Sequence, residues 1–275
     1  MNIKKTFHCA HGDVEGIYFD AGINTDLVII INGHNGFYNY GMFPCIQKKL
    51  LENSISSFSF NFSHGGVVGD ADFFSDLEKY EKNCMRLETE DTLCVLQNTR
   101  SGAFNVHSKI ILFAHSLGGV PALFAAGKTA GKKIIDGIIL VSTVQKLNFW
   151  PAELIREWKI KKVLYRKNNR TKQELPQGPE LLEEVLQSET RWNVENAIKS
   201  LRVPILIVHG ENDEAVPAGH ANALFSWARE HNTRVSLKIV PGATHTFNTK
   251  HPFENSTPQL EELISTAASW IKELK

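Results

Sequence analysis

Phe113–Gly119, FAHSLGG, follows the apolar run Lys109–Ala114 and precedes a helical pattern over Leu117–Lys128. A serine at the junction of strand and helix, with small residues at both second neighbours, has the form of a nucleophile elbow. The pattern is G-x-S-x-G, with Ala114 in place of the first glycine. The requirement for small residues is steric, because the turn is strained and strand and helix nearly touch there. Two other readings are open: a glycine-ended turn with an incidental serine, and a phosphate-cradling loop. The second is weak, since no Walker lysine follows and no G-x-G-x-x-G is present.

On either side of this segment, short apolar runs bounded by turn residues recur. They are Leu27–Ile31, Ser56–Phe62, Lys109–Ala114, Gly137–Val141, Ile205–His209 and Ser236–Val240. Four are nearly continuous Val, Ile and Leu, the pattern of strands covered on both faces of a parallel sheet. Ser56–Phe62 alternates, so it is expected nearer an edge or with one wetter face. Thr6–Cys9 and Glu15–Phe19 flank Gly12–Asp13 and read as a hairpin. Asp70–Gln97 sets Phe73, Phe74, Leu77, Tyr80, Cys84 and Leu87 at helical intervals, which predicts one long amphipathic helix. Near the C-terminus, Thr257 is placed to cap a helix, Pro258 occupies its first position, and Glu261 and Glu262 suit its N-terminal dipole. Strands alternating with helices imply an open α/β sheet with helices on both faces.

Gln145–Leu201 interrupts the alternation. Its 57 residues hold Trp150, Trp158 and Trp192, three of the five tryptophans, and no strand-like run. A connection normally takes about 4–6 residues, so this stretch is expected to be a helical cap inserted into a single domain spanning residues 1–275. Its first part, Gln145–Leu175, carries nine Lys or Arg against Glu153, Glu157 and Glu174. That charge suits either a solvated helical face or the attraction of an anionic substrate.

Composition excludes several classes. Of 275 residues, 42% are apolar and 22% charged, ordinary values that rule out a disordered chain. Thirty basic residues balance thirty acidic ones, so no protein-wide attraction to nucleic acid is expected. Cys9, Cys45, Cys84 and Cys94 show no regular spacing, and neither a disulfide framework nor a zinc site is expected. Cys84 and Cys94 on one helix would stand about 15 Å apart, too far to bridge. His8 and His11 have metal-like spacing but no acidic or cysteine cluster beside them, so no metal is expected. The opening MNIKKTF lacks an apolar stretch, and no run approaches the roughly 18 residues of a membrane span. A cytoplasmic location is the expectation.

Two later segments complete a possible active site. Val208–Pro217, VHGENDEAVP, presents Asp213 just beyond a buried strand, and Val240–Phe247, VPGATHTF, presents His245 before the last helix. Serine is a poor nucleophile at neutral pH. It needs an imidazole to take its proton and a carboxylate to fix that imidazole. Glu211 and Glu214 are rival acids and His251 a rival base.

These segments resemble the α/β-hydrolase superfamily over nearly the whole chain, in the manner of its esterase, feruloyl-esterase-like, monoacylglycerol-lipase-like and serine aminopeptidase branches. The resemblance implies a mostly parallel eight-stranded sheet and a lid after the sixth strand. It also implies ester or amide hydrolysis through an acyl-enzyme, with no cofactor. By family position the triad is Ser116, Asp213 and His245, in the order along the chain that marks the superfamily. The oxyanion hole would use the backbone N–H groups of Leu117 and His34. His34 belongs to Ile31–Gly36, INGHNG, where Asn32 and Gly33 stand in place of the family's His-Gly. Phe37, Tyr38, His64 (in Asn61–Gly66, NFSHGG) and Trp150 are candidates for lining a substrate pocket. A carboxylic ester is the expected small-molecule substrate. Amidase, thioesterase (through Lys161, Lys162, Arg166 and Lys167) and non-catalytic ligand binding are the alternatives.

Overall fold

Burial on both faces decides where each apolar run goes. The computed structural model describes residues 2–274. The chain begins with β1 (Asn2–Cys9), β2 (Gly12–Phe19) and β3 (Thr25–Ile31), then α1 (Phe43–Glu52), β4 (Ile55–Asn61), α2 (Leu77–Glu81) and α3 (Met85–Arg100). It continues through β5 (His107–His115), α4 (Gly119–Thr129) and β6 (Gly137–Val141). Next come α5 (Ala152–Lys161), β7 (Leu164–Lys167), β8 (Glu174–Gln177), α6 (Pro179–Leu186) and α7 (Val194–Ser200). The chain closes with β9 (Ile205–Gly210), α8 (Gly219–Arg229), β10 (Val235–Val240) and α9 (Pro258–Glu273).

One eight-stranded sheet has the order β1-β2-β4-β3-β5-β6-β9-β10. It is parallel from β4 to β10, and β1 and β2 are antiparallel additions. Both β6 and β9 are buried along their whole length, as their unbroken apolar sequences require. α3, α4 and α8 cover one face through Leu96, Leu123 and Leu224. α1 and α9 cover the other through Ile46, Leu50, Leu260 and Leu263. This is the doubly covered α/β architecture that the alternating runs predict.

Five local expectations are corrected. β4 is neither an edge nor half-wet: it lies between β2 and β3 with every residue buried. Its serines can be buried because their hydroxyls are partnered, Ser59 donating to the Tyr38 carbonyl at 3.2 Å and Ser56 pairing with Thr25 Oγ1 at 2.9 Å. The N-terminal hairpin turns at Ala10–His11, and Gly12 and Asp13 already belong to β2. The single helix over 70–97 is broken in two. Asp76 caps α2 by accepting from the Lys79 N–H, and the chain straightens at Cys84, which precedes α3. Residues 145–201 are not all helical, since β7 and β8 pair as an antiparallel hairpin within them. Cys9 and Cys94 form a disulfide, their Cα atoms 6.0 Å apart, because α3 packs against β1. Among the described residues, no helix is long and apolar enough to cross a membrane.

α3 also carries two carboxylic acids into the core. Glu88 is 5% exposed and accepts from the Asn83 side-chain amide at 2.7 Å, while Asp91 accepts the Ser63 N–H at 2.7 Å. Burial pushes the Glu88 carboxyl up to about 8 and that of Asp91 up to about 6. An unfolded chain ionises Glu above about pH 4.3, so the native state holds the extra proton and loses stability as pH rises toward 8. Glu88→Gln keeps the shape without the ionisation. Its Tm should exceed wild type by roughly 3–6 °C at pH 8.5, with the difference closing toward pH 4.5. A pH-independent difference in scanning calorimetry would contradict this account.

Candidate active site

The site lies at the carboxyl ends of β5, β9 and β10. Ser116 follows β5 directly, with its backbone at φ +56°, the left-handed region that non-glycine residues rarely adopt. Close approach on both sides holds it there. A Cβ added at Gly33 would lie 2.8 Å from the Ser116 Cβ, and one at Gly118 only 2.3 Å from the Asn32 carbonyl oxygen. At Gly119 it would meet Thr143 Cγ2 at 2.2 Å. Ala114 is fully buried between β3 and β6. The glycines are therefore spacing elements between the Ser116 turn, the loop after β3 and the segment after β6.

His245 Nε2 is 3.0 Å from Ser116 Oγ, and His245 Nδ1 is 2.8 Å from Asp213 Oδ2. The other carboxylate oxygen, Oδ1, accepts the N–H groups of Val216 at 2.8 Å and Ala215 at 3.1 Å. His209 Nε2 donates to the Val216 carbonyl at 2.7 Å and lies 3.4 Å from Asp213 Oδ2. Burial alone would raise the Asp213 pKa. The close His209 ring edge, the hydrogen bond from His245 and the His245 charge outweigh it and hold the carboxyl well below the usual carboxylate range. Asp213 therefore stays ionised at neutral pH and can stabilise an imidazolium at His245. The rivals lie elsewhere. Glu211 accepts the Gly242 N–H at 3.0 Å, Glu214 is exposed, and His251 Nδ1 accepts the Gly41 N–H at 3.1 Å.

His115 supports His245 from behind. Its Nε2 meets the His245 carbonyl at 3.0 Å, and the two rings are 4.8 Å apart. Desolvation, and then the charge of His245, draw its pKa down to about 3, so it remains a neutral hydrogen-bond donor. The loop after β3 is fixed as well. The Asn32 side-chain amide donates to the Phe60 carbonyl at 2.8 Å, and the Gly36 N–H donates to the Gly33 carbonyl at 2.9 Å. His34 faces the cleft and contacts the Gln177 side chain, and desolvation followed by the Arg166 charge brings it down to about 4. Leu117 lies in the single 3₁₀ turn Ser116–Gly118, whose first N–H groups have no intrahelical partner.

A cleft of about 380 Å³ opens over Ser116 and His245. None of the four pocket candidates lines it. Phe37 is buried edge-on against Tyr40 and Phe74. The Tyr38 hydroxyl donates to Asp70, His64 pairs with Ser63 Oγ at 3.0 Å, and Trp150 sits edge-on behind His34 at 6.2 Å. Tyr40, Phe43 and residues 167–170, from the end of β7 into the turn toward β8, form the wall instead. Periodicity carries no sign of that turn, because its reach over the cleft depends on tertiary packing. His8 and His11 are drawn to separate carboxylates, Asp13 at 2.8 Å and Glu90 at 2.5 Å.

Gly119→Ala should destabilise the chain by about 1–3 kcal/mol through overpacking, and adding Thr143→Ala should recover much of that loss. Urea denaturation of both variants measures it, and additive losses in the double variant would contradict the stated clash.

The Dienelactone hydrolase family model matches residues 190–274, which include Asp213 and His245. No curated protein matches the chain by sequence. Solved structures are similar over nearly its whole length. Est1E from Butyrivibrio proteoclasticus, with ferulic acid bound, is 19% identical over 98% of each chain, with TM-score 0.72. The esterase domain of a Rhodothermus marinus protein is 15% identical over 99% of this chain and 98% of that one, with TM-score 0.67. A dienelactone hydrolase from Anabaena variabilis ATCC 29413 is 11% identical over 100% and 98%, with TM-score 0.66.

Proposed function

We propose that this chain, a hydrolase of the α/β-hydrolase superfamily, cleaves carboxylic esters through an acyl-enzyme on Ser116. The reading is carried by one observation, the continuous hydrogen-bond chain from Ser116 Oγ through His245 to Asp213. Ser116 attacks the ester carbonyl as His245 Nε2 takes its proton. Asp213 holds Nδ1–H and balances the imidazolium charge. The tetrahedral oxyanion forms beside the N–H groups of Leu117 and His34, preorganised donors of the kind that stabilise developing charge. His245 then protonates the departing alcohol and activates water to release the acid. Residues 145–201 serve as the cap, and their β7–β8 turn narrows the approach to the nucleophile.

A fluorophosphonate probe tests the nucleophile directly. Intact-mass analysis should find one adduct on wild type, mapped to Ser116, and none on Ser116→Ala. Ser116→Ala should also lower kcat on an activated aryl ester by about 10⁴-fold or more, with Asp213→Asn nearly as severe. Near-normal turnover by Ser116→Ala would overturn the assignment.

A further inference from the structure

The β7–β8 turn places two cations on the wall of the cleft that holds Ser116 and His245, Lys167 and Arg170. Among the described residues Arg166 and Lys172 of the same hairpin also lack an ion pair, but neither lines the cleft, and three further bases are occupied. Lys161 pairs with Glu157 at 2.7 Å, Lys250 with Glu254 at 3.3 Å and Arg156 with Glu153 at 3.6 Å. Among the described residues Lys167 and Arg170 make no ion pair. Glu174 stands opposite Lys167 in the hairpin register without reaching ion-pair distance. Among the described residues no Asp or Glu side chain lines the cleft, and the carboxylate of Asp213 is fully covered behind His245.

The turn is also rigidly held. Asn168 Oδ1 accepts the N–H groups of Arg170 at 2.9 Å and Thr171 at 3.2 Å, and the Asn168 N–H donates to the Gln173 carbonyl at 2.8 Å. The Gln173 side chain clamps Phe74 at both backbone groups, accepting from its N–H at 2.9 Å and donating to its carbonyl at 2.8 Å. The Arg170 guanidinium stands 5.0 Å from the Tyr40 ring, which itself stacks on His251 at 4.5 Å. The ring contact holds the guanidinium beside the cleft, and among the described residues its N–H fork has no protein acceptor, which leaves it available for bidentate binding of an oxyanion.

We infer that the ester cleaved at Ser116 carries an anionic group, a carboxylate or phosphate, which Arg170 binds with Lys167 at its side. This specificity rests on the ester-hydrolase reading and extends it. A fixed cation facing a site without carboxylates favours an anionic substrate over its neutral isostere, mainly through KM.

The test compares 4-acetoxybenzoate and 4-acetoxyphenyl phosphate with the neutral 4-acetoxybenzamide on wild type, Arg170→Gln, Arg170→Lys and Lys161→Gln. Differences in intrinsic reactivity cancel when the anionic-to-neutral ratio of kcat/KM is compared between proteins. That ratio should fall about 10- to 100-fold in Arg170→Gln, the range for losing a charge-assisted pair, through KM rather than kcat. Arg170→Lys should restore part of it, and Lys161→Gln should leave it unchanged. The anion with the larger fall identifies the natural group. Binding measured by calorimetry on Ser116→Ala, with and without Arg170→Gln, keeps the result independent of turnover. If wild type cleaves none of the esters, the failure falls on the Ser116 reading, and binding still decides the anion site. A ratio unchanged in Arg170→Gln, or equal affinity of Ser116→Ala for the benzoate and the benzamide, overturns the inference.

Discussion

The left-handed backbone at Ser116 is the constraint on which the rest of the site depends. A serine at φ +56° is costly by itself, and it persists because its surroundings leave no other path. Gly33, Gly118 and Gly119 let the β3 loop, the nucleophile turn and the end of β6 approach at distances no side chain would permit. The hydroxyl is thereby lifted above the sheet, where His245 can reach it at 3.0 Å. Strain at one residue is held by the rigidity of three neighbouring segments, each anchored in the fully buried centre of the sheet.

Support for the reacting groups is layered behind this turn. Asp213 is fixed by two N–H groups of its own loop and by His209, and the His245 backbone by His115. The histidine that meets the serine is thus set in a frame whose other members are locked by hydrogen bonds. Asp213 remains charged and His115 remains neutral at neutral pH, so the groups on either side of His245 keep fixed charge states.

The central strands were legible because parallel strands covered on both faces need uninterrupted apolar runs, and Ile138–Val141 and Ile205–Val208 have them. The elbow was legible because its steric demands leave few residue choices at 114, 118 and 119. β4 misled because its alternation is one of size, small serine against large phenylalanine, rather than of wet and dry faces. The stripe over 70–97 misled in another way. Tyr80 and Leu87 both reach the core, but from two separate helices, so the apolar spacing continues across a break at Cys84. Lys167 read as one of four bases that could attract an anionic thioester, and Arg170 only as a member of the basic run. What sets them apart is the anchoring of their turn by Gln173 to Phe74, 99 residues away in sequence, and periodicity carries no trace of such a contact.

The first strand has a consequence beyond the site. Among the described residues β1 pairs only with β2, so one row of its backbone donors and acceptors lacks a strand partner. Such a row is a template for chains of the same kind and a common origin of aggregation. Here the strand is tied to its own molecule at several points: Lys4 pairs with Asp70, the Lys5 ammonium donates to the Ala103 carbonyl at 2.9 Å, and Cys9 is bonded to Cys94. Adjacent lysines add a charge that an incoming copy of β1 would have to meet with its own. The tether and the charge together guard solubility at the border of the sheet, a task separate from anything the cleft performs.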